Sequence, residues 1–121
     1  MGDLDILKYQ LKDAGTNLGA IAEELRKRVD AATAAGDQQG AAAAGKLYNE
    51  CTALAMSAVR MEIAQVDDGA EMMNAIAALR KANGTLQQEQ ARAADLANSI
   101  DGALDAVTLA AKAINAVADL G

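Results

Sequence analysis

Residues 4–25 read Leu4-Asp5-Ile6-Leu7-Lys8-Tyr9-Gln10-Leu11-Lys12-Asp13-Ala14-Gly15-Thr16-Asn17-Leu18-Gly19-Ala20-Ile21-Ala22-Glu23-Glu24-Leu25, and this stretch decides the fold. Leu4, Leu7, Leu11, Ala14, Leu18, Ile21 and Leu25 alternate in steps of three and four. That spacing keeps every apolar side chain on one stripe of an α-helix, as in a coiled coil or a regular bundle. A first helix is therefore expected over about 3–33. Asp3 and Asp5 suit its N-terminus, and Arg26-Lys27-Arg28 suit the end where the helix dipole favours positive charge. Gly15 and Gly19, four apart on one face, either let a second helix approach closely, mark a weak point or are simply tolerated.

Composition extends this reading to the whole chain of 121 residues, a length that suits a single domain over 1–121. Pro, Trp, Phe and His are absent, Tyr9 and Tyr48 are the only aromatic residues, and alanine makes up about a quarter of the sequence. Alanine is the best intrinsic helix former, whereas strands favour the β-branched and aromatic residues that are scarce here. The expected class is all-α, an antiparallel bundle with coiled-coil-like packing. Leu, Ile and Val together number 24. A core made of alanine and so few larger residues buries little area per contact, which favours long helix contacts or a second subunit.

Further along, Gly36-Asp37 reads as a C-cap followed by an N-cap. A second helix is expected over about 41–82. Tyr48, Ala55, Val59, Ile63, Val66, Ala70, Met73 and Ala77 form one apolar stripe, and Leu47, Cys51, Leu54, Ala58 and Met61 form its neighbour. The first stripe passes Asp67-Asp68-Gly69 in phase, which predicts a continuous helix. The alternative is a break near Asp67-Gly69, with Asp68 and Glu71 as a capping pair, giving four helices. Asn83-Gly84 resembles a helix C-terminus, and Thr85 with Gln88 has the spacing of a capping box, so a turn is expected there and a third helix over about 85–120.

The last segment has only a narrow polar stripe, through Asp95, Asn98, Asp101, Asp105, Thr108, Lys112, Asn115 and Asp119. A helix on one side of a bundle needs an apolar arc of about 100°, and this segment has more. Leu96, Ile100, Leu104, Val107, Ile114 and Val117 are therefore the candidate partner or oligomer interface.

The chemistry of the chain is sparse. Without histidine there is no Ser-His or Cys-His pair and no Glu-x-x-His di-iron motif. Glu23-Glu24 and Asp67-Asp68 are adjacent on a helix and point apart, so neither pair makes an acid–base couple. Asp67-Asp68-Gly69 lacks the remaining ligands of a calcium loop. No cofactor, metal or catalytic residue is expected, and the chain does not read as an enzyme. Cys51 lies on an apolar stripe and reads as a small buried hydrophobe. The net charge of −6 and the acids flanking Arg26-Lys27-Arg28 argue against nucleic acid. Met1-Gly2-Asp3-Leu4-Asp5 has acids where a signal peptide has a basic segment, and no apolar run reaches transmembrane length. The expectation is a cytoplasmic helical interaction protein, such as an adaptor, a secretion-type chaperone, an immunity or anti-toxin protein or a structural component. It would pack on itself or on a protein partner. The alternatives are peripheral association with a lipid surface or storage granule, and leaderless secretion.

Overall fold

The computed structural model describes residues 2–63, 69–95 and 98–120. Within them the chain is an all-α bundle of four helices: α1 (Asp3–Ala34), α2 (Gln38–Arg60), α3 (Ala70–Ala93) and α4 (Asp101–Ala118). The heptad stripe of residues 4–25 becomes the buried spine of α1, where Leu7, Leu18, Ile21 and Leu25 are wholly inaccessible. Leu7, Leu11, Leu18, Ile21, Cys51, Met72, Leu79, Leu86 and Ile114 share one core with alanines from all four helices.

The α1–α2 turn follows its local sequence. Gly36 takes φ +74°, a backbone region glycine enters without steric penalty. Its N–H donates to the Thr33 carbonyl (3.1 Å) and the Asp37 N–H to the Ala32 carbonyl (2.8 Å). This pair of bonds is a Schellman closure. The Asp37 carboxylate then accepts from the Gly40 N–H at 2.9 Å and caps α2. Directed back by this turn, α2 runs antiparallel to α1. Cys51 lies against Leu18, and a side chain at Gly15 would meet Val59, Ala58 and the Ala55 carbonyl. Gly15 thus serves close helix approach, whereas Gly19 faces open space.

The expected continuous second helix over 41–82 is corrected in favour of the four-helix alternative. It ends at Arg60, Met61 is extended (φ −65°, ψ 122°), and a new helix starts at Ala70. The physical reason is reach. Val59 is already level with Gly15 of α1, so a helix continued to residue 82 would project roughly 33 Å further at 1.5 Å per residue, past the start of α1. Met72, Ile76 and Leu79 would then have no neighbour. Turning back buries all three. Asp67 and Asp68, and with them the proposed Asp68–Glu71 cap, lie outside the described residues.

The expected turn at Asn83-Gly84-Thr85 is also corrected, and with it the helix expected over 85–120. α3 runs through these residues without interruption to Ala93, and α4 begins only at Asp101. Asn83 is buried and turned inward. Its Nδ2 donates to the carbonyl of Gln10 (3.1 Å) and to Gln10 Oε1 (3.0 Å), while its Oδ1 accepts from Asn17 Nδ2 (3.2 Å). The Thr85 hydroxyl donates back to the Lys81 carbonyl instead of capping a new helix. A tertiary polar contact has overridden a local cap signature.

These bonds, with those of Arg28 to residues 93–98, set α1 and α3 parallel. α4 returns antiparallel to α3, with Gly102 facing Glu89 and Ala116 near Ala75. α1 therefore lies between α2 and α3, α4 lies mainly on α3, and α2 and α3 do not approach each other within the described residues.

Arg28 builds the α3–α4 corner. Its guanidinium donates to three backbone carbonyls: Ala93 (3.3 Å), Asp95 (2.9 Å) and Asn98 (2.7 Å). Arg26 and Lys27 instead pair locally with Glu23, Asp30 and Glu24 on exposed faces, and such pairs add little.

Two stability predictions follow from this geometry. Gly84 has a helical backbone with open space beyond it, so Gly84→Ala should stabilise the chain by about 0.5–1 kcal/mol in urea unfolding. A loss of comparable size would place a positive-φ turn there. Arg28→Ala should destabilise by about 1–2 kcal/mol and speed amide exchange over residues 98–104, with Arg28→Lys recovering only part, because an ammonium cannot reproduce the planar fork.

Candidate interaction surface

The six candidates from the last segment divide. Val107, Ile114 and Val117 are buried in the core at 3%, 1% and 2% exposure. Ile100 is half-buried, Leu104 is 44% exposed, and Leu96 lies outside the described residues. The wide apolar arc of α4 packs mainly on α3, with lesser contacts to α1 and α2, the latter beside Ile100 and Leu104. Most of the surplus read from the sequence is thus used inside the bundle.

The larger accessible apolar surface lies on α2. Val59 is 68% exposed and Met56 45%. With Ala55 they form a strip along the outer wall of the helix. The strip opens into a groove of about 620 Å³ between the first half of α1 and the end of α2. Leu11, Ala58, Val59, Met61 and Ile63 supply its apolar lining, and Lys8, Lys12 and Glu62 stand at its rim. The sequence carries the signal for this surface in the two adjacent stripes of α2. The stripe of Leu47, Cys51 and Ala58 is buried. The stripe of Tyr48, Ala55 and Val59 is left half-buried or exposed. Two stripes imply two neighbours, and α2 has only α1 along most of its length.

Among the described residues no cluster of three or more cysteine or carboxylate side chains is arranged to hold a metal. Among the described residues no helix is long and apolar enough to cross a membrane. Cys51 is fully buried, and its thiol donates to the Leu18 carbonyl at 2.9 Å. Burial pushes the thiol up to about 12, against a small opposing effect of a backbone hydrogen bond with Ala22. It is therefore a poor nucleophile in the folded chain, because the thiolate is the reactive form. On the exposed face of α1, the hydrogen bond and charge of Arg26 hold the Glu23 carboxyl below its ordinary value. No protein family, curated protein or solved structure matches the chain.

The thiol gives a pH prediction. In the unfolded chain it titrates near its ordinary value of 9.0, and in the fold at about 12. Folding thus favours the protonated form. Its contribution is complete below the unfolded value and is lost as pH rises toward the folded one, at no more than about 1.4 kcal/mol per pH unit. Comparing urea unfolding of the native chain with Cys51→Ala at pH 7 and pH 10 should show the stability difference shrinking at the higher pH. The thiol should also react with a disulfide reagent only at the rate of unfolding. Rapid reaction under native conditions would contradict the burial.

Proposed function

We propose that this chain is a non-enzymatic, cytoplasmic interaction protein that works by helix packing against itself or a protein partner. The observation that carries the reading is the strip of Ala55, Met56 and Val59 opening into the groove beside Leu11, Met61 and Ile63. Single exposed apolar residues are ordinary, whereas a contiguous strip that ends in a groove supports an interaction reading. The groove has the character of sites that receive an amphipathic helix: an apolar floor, with charges at the edge to set register. The interface first expected on α4 moves accordingly, with Ile100 and Leu104 as its accessible part. Val107, Ile114 and Val117 lie in the core, which removes much of the surface on which association with a lipid layer would rest.

A photo-reactive residue placed at Val59 should yield discrete cross-linked adducts in the native cell, and one at the exposed Gln87 of α3 should not. Equal labelling from both positions, or none from either, would count against the reading.

A further inference from the structure

The geometry points to a head-to-tail contact between copies of this chain, in which the start of α4 on one copy enters the α1–α2 groove of the next. This rests on the interaction reading above and names the partner as a second copy. Two surfaces of the same molecule are complementary in charge and in the spacing of their charged residues. At one end, Lys8 and Lys12 stand one helical turn apart on α1, both exposed, beside the apolar groove, with Glu62 on its other rim. At the other end, Asp101 and Asp105 stand one turn apart on α4, both exposed. Beside them are Leu104, Ile100 and a smaller cleft of about 310 Å³ that also presents Lys46 and Glu50.

Residues four apart on a helix have Cβ atoms about 6 Å apart. The two lysines and the two aspartates therefore match in spacing as well as in sign. With Leu104 seated against Val59 and Met61, Lys46 becomes the available counter-charge for Glu62. None of Lys8, Lys12, Lys46, Asp101 or Asp105 takes part in an ion pair among the described residues.

The two surfaces of one molecule cannot meet each other. Ile100 and Leu104 share their cleft with Ala43 and Leu47 of α2, and Gly45 of that same stretch faces Val29 of α1. The groove lies near Leu11, about 27 Å away along α1 at the usual helical rise. A contact between unlike surfaces at opposite ends is heterologous. It propagates copy after copy unless its rotation closes a ring. A symmetric groove-to-groove dimer would instead set four lysines against only the two Glu62 carboxylates, and the unbalanced like charge disfavours it.

Sedimentation velocity over a concentration series tests the inference. The native chain should associate at about 50 mM salt, and its apparent affinity should fall about tenfold at about 500 mM. Lys8→Glu with Lys12→Glu, and separately Asp101→Lys with Asp105→Lys, should each give a monomer. Circular dichroism melting confirms that each remains folded. Should the double α4 variant melt early, Asp105→Lys alone replaces it. An equimolar mixture of the two variants should associate again, because each repairs the other's mismatch at both contacts. A native chain that stays monomeric up to about 1 mM overturns the inference. So does association that survives both charge reversals, or a mixture that fails to assemble. A monomer that still cross-links to a different protein through Val59 would overturn the self-contact while leaving the interaction reading in place.

Discussion

The hydrogen-bonded chain Gln10–Asn83–Asn17 holds α1 and α3 in one register, and the rest of the bundle is arranged around that pairing. Asn17 and Asn83 are 7% and 4% exposed, so each amide depends on the other helix for its partners. Sliding α3 by one turn, about 5.4 Å, would bury these groups unpaired at roughly 1–3 kcal/mol apiece. In helices this rich in alanine the apolar side chains are too alike to choose among neighbouring registers. A buried polar pair is the device coiled coils use for that purpose. Because α1 and α3 are parallel, each needs an antiparallel companion. The short Gly36-Asp37 turn supplies α2, and the longer corner held by Arg28 supplies α4.

That arrangement explains how a thin core suffices. α1 is covered by α2 on one side and α3 on the other, so its stripe is enclosed from Leu7 to Leu25. Alanines carry much of the remaining contact: Ala75, Ala82, Ala103, Ala106, Ala110 and Ala113 are all buried. Small side chains allow α3 and α4 to approach closely, which recovers dispersion contact that a sparse set of large residues would otherwise leave unmade. Gly15 does the same for α1 against α2, where a methyl group would crowd the Val59 side chain.

Local signals in the sequence were reliable where the backbone itself carried them. The helical class, the spine of α1 and the Gly36-Asp37 cap could all be read from residues a few positions apart. The signals at Asn83-Gly84-Thr85 have the same form but a different outcome, because an asparagine that suits a helix end also suits a buried tertiary bond. Sequence spacing cannot distinguish the two when the partners, Gln10 and Asn17, lie more than 60 positions away. The break before Ala70 is legible as the alternative at Asp67-Asp68-Gly69, but the apolar stripe keeps its phase across it and favours the continuous reading. The finite length of α1 makes that continued helix unfavourable. The corner clamped by Arg28 was invisible because its acceptors are backbone carbonyls, which leave no mark in side-chain pattern.

The surplus apolar surface was legible in amount but not in place. Both α2 and the last segment carry more apolar positions than one neighbour requires, and which of them is covered depends on helix order in space. α4 lies along α3 with lesser contacts to α1 and α2, so most of its wide arc is covered and only Leu104 and part of Ile100 stay accessible. α2 sits at the edge, and its second stripe faces outward. Alanine at Met56 and Val59 would serve helix propensity better than methionine or valine. Only one methyl of Val59 is spent on Gly15, and most of the side chain faces water. Within the isolated bundle these two side chains contribute little to folding. Their size has a physical use when another helix lies over them, and the lysine pair on the adjacent turn of α1 then favours an acidic neighbour over a basic one.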